Sequence, residues 1–147
     1  MRIIGTLNTT SQALLTGELL NLGNVYRRYD SKGSCGLRAY EFNSNGVVLQ
    51  HSGIYKVTAN ITFTAPVAGN VIFQLTRNGT PITGATTTET VTTATTEVNT
   101  TTIDFFVLVD KDLILNTITT IAESIGVINA GVASTVTNLV VNFVKVA

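Results

Sequence analysis

The clearest pattern in the chain is an unbroken alternation of apolar and polar side chains over residues 55–64, within the stretch 53–66. Every second side chain of a β-strand points to the same face, so this pattern predicts one long strand with a single buried face. The segments expected to pair with it, residues 103–109 and 139–146, are apolar on both faces. An antiparallel sandwich normally buries only one face of each sheet. We therefore expect other copies of the chain to cover the second face.

Short apolar segments separated by turn residues predict further strands. These segments are residues 13–22, 37–42, 47–50 and 71–75. Asn78-Gly79 is a strong hairpin signal because both residue types tolerate a positive φ. Between the first two segments, residues 26–33 are polar and contain a glycine, and this composition predicts a loop.

The later part of the chain is also expected to be β-structure. Residues 86–102 are dominated by threonine, which is β-branched and favours a pleated surface, so they predict one or two solvent-facing strands. A turn at residues 110–112 and a strand at 113–117 should follow. Residues 118–131 are compatible with a short helix or with a strand and a loop. Eight to ten short antiparallel strands indicate an all-β sandwich or barrel.

Size and charge exclude several function classes. A chain of 147 residues fits one domain that needs no disulfide or metal to hold its core. We divide it into an N-terminal strand and polar loop region, residues 1–43, and a body, residues 44–147. Nine Lys and Arg balance nine Asp and Glu, so neither nucleic acid nor an anionic membrane is an expected partner. We expect no secretory signal and no membrane span, because no apolar stretch is long enough.

Catalytic chemistry has little support in the sequence. His51 is the only histidine and Cys35 the only cysteine. His51 lies beside Ser52, but neighbours on a strand point to opposite faces, and Cys35 fits a turn between glycines. Asp110 and Asp112 could hold calcium, although a polar turn explains them better. We therefore predict no enzyme activity, no cofactor and no metal.

A family resemblance appears in the order of four motifs. They are the strand that begins Gly53-Ile54-Tyr55 and ends at Phe63, the Asn78-Gly79 turn, the segment Phe106-Val107-Leu108-Val109-Asp110-Lys111-Asp112-Leu113, and the apolar terminal strand. Over about residues 47–147 the chain resembles the C1q and tumour necrosis factor (TNF) jelly-roll superfamily. Its Thr- and Gly-rich character is similar to the bacterial and phage members, such as phage head-fibre or decoration proteins and the knobs of collagen-like spore-surface glycoproteins.

The resemblance implies a jelly-roll homotrimer with a display or attachment role and no catalysis. The sequence given has no collagen-like Gly-X-Y stalk, and this favours a virion protein, such as a head fibre, decoration protein or fibre knob. The partners would be the chain itself, a capsid or other virion protein, and a host-surface protein or glycan. The alternative is a trimer on a bacterial cell or spore surface that binds a protein or glycan ligand.

The register of the family assigns the two faces of the C-terminal strands. The expected core residues are Leu139, Val141, Phe143, Phe106 and Leu108. The expected trimer-interface residues are Thr58, Thr62, Ile103, Phe105, Val140, Val144 and Val146. Asp104 then falls on the core side, so either it lies near a strand end or this register is off by one. A three-layer fold could instead cover the second face within one chain, but the sequence offers no amphipathic helix for that role.

One cluster combines basic and aromatic residues in a chain otherwise poor in charge. Its members are Tyr26, Arg27, Arg28, Tyr29 and Lys32. Such a cluster could recognise a phosphate, a glycan or a neighbouring capsid subunit. The alternative is an ordinary solvated loop.

Overall fold

A computed structural model describes residues 2–30, 38–110 and 123–147. Within these ranges the chain forms eleven β-strands and no helix. The strands are β1 (Arg2–Asn8), β2 (Gln12–Leu14), β3 (Asn24–Tyr29), β4 (Tyr40–Asn43), β5 (Gly46–Leu49), β6 (Gly53–Thr64), β7 (Gly69–Arg77), β8 (Thr80–Val91), β9 (Asn99–Val109), β10 (Glu123–Asn129) and β11 (Ser134–Lys145). The expected all-β architecture is confirmed.

The described strands form two antiparallel sheets that pack face to face. Sheet 1 has the order β3-β1-β11-β6-β9, and β2 also pairs with β11. Sheet 2 has the order β4-β5-β10-β7-β8. Aromatic side chains fill much of the space between the sheets: Phe63 of sheet 1 meets Phe73 of sheet 2 edge to face, with 5.3 Å between ring centroids. The result is the jelly-roll sandwich that the family resemblance implies.

The long alternating strand occupies the position expected for it. β6 lies between β11 and β9, the two strands predicted to pair with it. Its apolar residues, Tyr55, Val57, Ala59, Ile61 and Phe63, are completely buried, and the residues between them point away from the core. The alternating pattern predicted both the strand and its buried face correctly, because one face of β6 is wholly apolar.

The local turn and strand signals are also confirmed where the structure describes them. Asn78 and Gly79, with φ of 52° and 83°, form the two-residue turn between β7 and β8. Both φ values are those of a primed hairpin turn. The threonine-rich segment forms the end of β8 and the start of β9. The helix alternative is wrong for residues 123–129, which form β10, whereas the turn at 110–112 and the strand at 113–117 lie almost wholly outside the described residues.

The N-terminal strands are the part of the fold that the sequence pattern misses. The predicted loop at 26–33 is wrong over Tyr26–Tyr29, which belong to β3. Of the predicted strand at 13–22, only residues 13–14 lie in β2. β1 pairs with β11, with Thr6 opposite Val141 at a separation of 135 positions. Such long-range pairing leaves little local signal. The division into residues 1–43 and 44–147 stays a prediction.

Candidate subunit interface

The face of sheet 1 that points away from sheet 2, here called the outer face, carries apolar side chains at one end. One row across the sheet runs Tyr29, Ile3, Val144, Lys56 and Phe106, each opposite the next on the adjacent strand. Five strands at a spacing of about 4.8 Å make this row about 19 Å wide. Apart from Lys56, every member of the row is apolar or aromatic.

A second apolar row lies beside the first, nearer to the end of the sheet. The Val146 backbone N–H donates to the Ile54 carbonyl at 2.8 Å, and Ile54 pairs with Leu108. We call these two rows, without Lys56, the apolar belt. Its members include Phe106, 60% exposed, Leu108, 59% exposed, and Val146, 51% exposed. Because full burial of such a side chain contributes about 1.5–3 kcal/mol, the belt favours association with another apolar surface.

The row on the other side of the first is polar. It contains Arg27, Gly5, Asn142, Thr58 and Asp104, again paired across five strands, and we call it the polar row. Lys56 Nζ lies 3.6 Å from Asp104 Oδ2, and both side chains are about half exposed. In water such a pair contributes little, and its contribution changes if another subunit covers it.

Gly5 allows an aromatic ring to lie against the polar row. A Cβ atom at Gly5 would be 2.7 Å from Cε1 of Tyr26 and 2.6 Å from Oδ1 of Asn142, so only glycine fits there without displacement. The Tyr26 hydroxyl donates to Asn142 Oδ1 at 2.9 Å. The Tyr26 ring therefore covers Gly5 and contributes both apolar surface and a fixed polar group to the outer face.

Further from the belt, the outer face carries Val140 and several paired hydroxyls and amides. Thr102 Oγ1 donates to Asn60 Oδ1 at 2.8 Å, and the hydroxyls of Thr62 and Thr100 are 3.2 Å apart. These polar groups have partners within the chain, so covering them with a second subunit leaves them satisfied.

The face assignment of β11 is confirmed and that of β9 is wrong. Leu139, Val141 and Phe143 lie in the core, while Val140 and Val144 are on the outer face. On β9, Ile103 is 3% exposed and Phe105 packs against the core, so neither belongs to the outer face as predicted. Conversely, Phe106 and Leu108 are not core residues, because both side chains are about 60% exposed.

The physical reason is a one-residue slip in the assumed register. Thr58 pairs with Asp104, which places Asp104 on the outer face together with every second residue of β9. The signal that could have revealed this was the charge of Asp104, which shares a face with Phe106. Thr58, Thr62, Val140 and Val144 lie on the outer face and Val146 continues it, as the prediction requires. Their contact with another subunit stays a prediction.

The basic-aromatic cluster divides between two roles. Tyr26, Arg27 and Tyr29 are exposed on β3, the edge strand of sheet 1, and the Arg27 guanidinium carbon is 5.9 Å from the centre of the Tyr26 ring. Arg28 instead turns inward: its Nε is 2.7 Å from Asp30 Oδ1, and its Nη2 donates to the Tyr40 carbonyl at 2.5 Å. Arg28 is therefore engaged in linking β3 to β4 and offers less to an external ligand.

The Arg28–Asp30 pair affects the protonation of both groups. The hydrogen bond with Asp30 raises the pKa of Arg28 against the opposing effect of burial. Burial tends to raise the pKa of Asp30, but the hydrogen bond and charge of Arg28 outweigh it and lower that pKa. Lys32 lies outside the described residues. A docking role for the cluster stays a prediction.

Of the other candidate residues, His51 takes part in internal contacts. His51 is 5% exposed; Arg2 donates to its Nδ1, and its carbonyl accepts a hydrogen bond from Tyr55. Asp110 is exposed, whereas Asp112 and Cys35 lie outside the described residues. In the ranges that the structure covers, His, Cys, Asp and Glu form no group of three suited to a metal ion. Those ranges also contain no helix long and apolar enough to span a membrane.

Comparison with known proteins identifies the fold. No family model and no curated protein matches the chain. Among solved structures, the globular domain of zebrafish complement 1qA protein is similar over 100% of this chain and 98% of its own, with a TM-score of 0.63 and 6% identity. Eiger TNF from S. frugiperda gives a TM-score of 0.63 and 10% identity, covering 100% of this chain and 94% of its own.

A third similar structure is the PRD1 vertex protein P5, with a TM-score of 0.52 and 13% identity over 99% of this chain and 97% of its own. At these identities the likeness concerns the fold alone. It extends over the whole chain, including the N-terminal strands that the sequence resemblance left out. The chain has the C1q/TNF-like jelly-roll fold.

Proposed function

We propose that this protein is a homotrimeric structural protein of a phage particle, acting in display or attachment as a head fibre, decoration protein or fibre knob. The observation that carries the proposal is the apolar belt. It spans sheet 1 from one edge strand to the other, and Phe106 and Leu108 within it are about 60% exposed in a single chain. Three copies packed around an axis would remove these side chains from water.

Several features of the outer face suit an interface between subunits. Apolar groups are concentrated at one end, and the polar groups farther along have hydrogen-bond partners within the chain. An interface of this kind has a hydrophobic part and a satisfied polar part, as specific protein interfaces commonly do. Thr58, Thr62, Val140, Val144 and Val146 keep their proposed interface role, with Phe106, Leu108 and Ile54 added in place of Ile103 and Phe105.

A location on a particle is supported by the similarity in fold to the PRD1 vertex protein P5. A trimer whose subunits pack through the outer faces of sheet 1 is a rigid support, and its end loops and the edge strands of sheet 2 remain available for contacts with a capsid protein or a host-surface protein or glycan. The proposed role requires no cofactor and no catalytic group.

Immunogold labelling tests the proposed location. Antibody raised against the purified protein is applied both to phage particles released from the source bacterium and to intact cells that carry no phage. We expect gold on the particles and none on the cells. Gold restricted to the surface of phage-free cells or spores would overturn the particle role and favour a surface trimer that binds a protein or glycan.

A further inference from the structure

We infer that the subunits meet edge to edge, β3 of one against β9 of the next, and that Arg27 forms an ion pair with Asp104 of the neighbouring subunit. This inference rests on the proposed homotrimer and adds the partner for each edge of sheet 1. Three observations carry it: the direction of the apolar belt, the position of both charges in one row, and the groups that are exposed at the two edges.

The direction of the belt indicates how the strands run relative to the threefold axis. The belt crosses sheet 1 at a right angle to its strands, from Tyr29 on β3 to Phe106 and Leu108 on β9. Three such belts meet one another only if the strands run roughly along the axis, because rotation about the axis preserves height along it. In any arrangement with strands across the axis, much of each belt would face a polar row of the next subunit.

With the strands along the axis, residues in one row lie at one height in all three subunits. Arg27 on β3 and Asp104 on β9 belong to the same polar row. Four strand spacings of about 4.8 Å separate them within one chain, about 19 Å in total, so they cannot pair internally. A head-to-tail ring brings the β3 edge of one subunit to the β9 edge of the next, at the height where these opposite charges lie.

The side chains at the β3 and β9 edges lie at the same height along the axis and are also chemically complementary. The Arg27 guanidinium lies over the Tyr26 ring, and among the described residues no carboxylate lies within 4 Å of it. The Asp104 side chain is 53% exposed, and within the described part of the chain its one salt bridge is to the exposed Lys56. One row away, Tyr29, 71% exposed, and Phe106, 60% exposed, supply aromatic surface to the same contact.

A charge-swap cycle tests the pair. The variants are Arg27→Glu, Asp104→Arg and the two together, and the trimer dissociation constant is measured for each by sedimentation equilibrium. Each single change places like charges together and should raise that constant about tenfold or more. The double variant restores an opposite pair and should recover most of the loss. Because both side chains are on the surface, circular dichroism should show the same β-sheet content throughout.

The controls separate this pair from other effects of the same changes. Lys56→Met removes the partner of Asp104 within the chain and should change assembly much less than Asp104→Arg. If a charge reversal prevents folding, the neutral cycle of Arg27→Gln and Asp104→Asn measures the same coupling energy between the two positions.

The outcomes distinguish the pair from the trimer itself. The inference is supported if each single change raises the trimer dissociation constant and the double variant lowers it again. A trimer that tolerates both single changes, or that weakens without recovery, overturns the Arg27–Asp104 pair and leaves the proposed trimer intact. A monomeric unsubstituted protein refutes the trimer and with it the pair.

Discussion

Replacing the two exposed apolar residues of β9 should dissociate the protein without unfolding it. The changes are Phe106→Ser and Leu108→Ser, separately and together. Both side chains lie in the apolar belt and are about 60% exposed in a single chain. Few core contacts are lost when they are truncated, so the free energy of unfolding of a single subunit should change by only about 0.5 kcal/mol.

The expected effect on assembly follows from the exposed fractions. Full burial contributes about 1.5–3 kcal/mol for such a side chain, so burying the remaining three fifths contributes about 1–2 kcal/mol. A homotrimer contains three copies of each side chain, so each substitution should cost about 3–6 kcal/mol of association free energy per trimer. That corresponds to an increase of roughly two to four powers of ten in the trimer dissociation constant.

Sedimentation equilibrium over a range of concentrations measures this constant, and near-ultraviolet circular dichroism reports whether the core stays packed. Leu15→Ser is the matched control for Leu108→Ser, because Leu15 is 65% exposed but lies beyond β2, away from the apolar belt. The control should remain trimeric.

Two results would refute the reasoning. One is a trimer whose dissociation constant is unchanged by the double substitution, which would mean that the belt is not buried between subunits. The other is equal weakening by Leu15→Ser, which would mean that loss of any exposed leucine has the same effect and that the position on the belt is irrelevant.

Three further predictions concern neighbouring faces, one turn and one ion pair. Phe143→Ala should lower the free energy of unfolding by about 3–5 kcal/mol in urea titrations, because Phe143 is buried against Tyr40. Val144→Glu on the outer face should mainly dissociate the trimer. Equal effects of the two changes on folding would contradict the face assignment. Gly79→Ala should lower the free energy of thermal unfolding by about 1 kcal/mol, because Gly79 has a φ of 83° that an L side chain disfavours; an unchanged midpoint would contradict this. The lowered pKa of Asp30 means that its pair with Arg28 stabilises the fold above the ordinary pKa of 3.8 and that this stabilisation is lost as the pH falls through the lower folded value. Asp30→Asn should therefore destabilise the protein to urea at neutral pH and do so much less in strong acid, and a pH-independent difference would be inconsistent with the pair.

The parts of the fold that could be predicted from sequence are those with a local signal. β6 alternates without interruption, and its buried face contains only apolar residues. The hairpin of β7 and β8 is encoded by Asn78-Gly79, two adjacent residues that both adopt positive φ. In each case the pattern and the structural cause lie within a few positions of each other.

β9 shows where pattern alone is insufficient. Ile103 and Val107 on one face and Phe106 and Leu108 on the other are all apolar, so a shift of one residue exchanges two faces that look alike. Only the charge of Asp104 distinguishes the faces, because threonines lie on both, and this charge becomes informative once the pairing of Thr58 with Asp104 is known. The same two-sided apolar character that made β9 ambiguous is what indicated an interface.

There is a second reason why the candidate site could be predicted only in part from the sequence. The outer face combines strands from both ends of the chain, since Ile3 of β1 lies opposite Val144 of β11. The role of Gly5 depends on the Tyr26 ring that covers it, and the inward turn of Arg28 depends on Tyr40 of the other sheet. Such contacts between distant segments leave no pattern in the local sequence.

The mass of the protein in solution tests the central claim most directly. Three chains of 15.6 kDa give about 47 kDa, and this is the mass that we expect from light scattering or mass photometry at neutral pH. A mass of 15.6 kDa that persists at high protein concentration would contradict the account, because Phe106 and Leu108 would then remain in water.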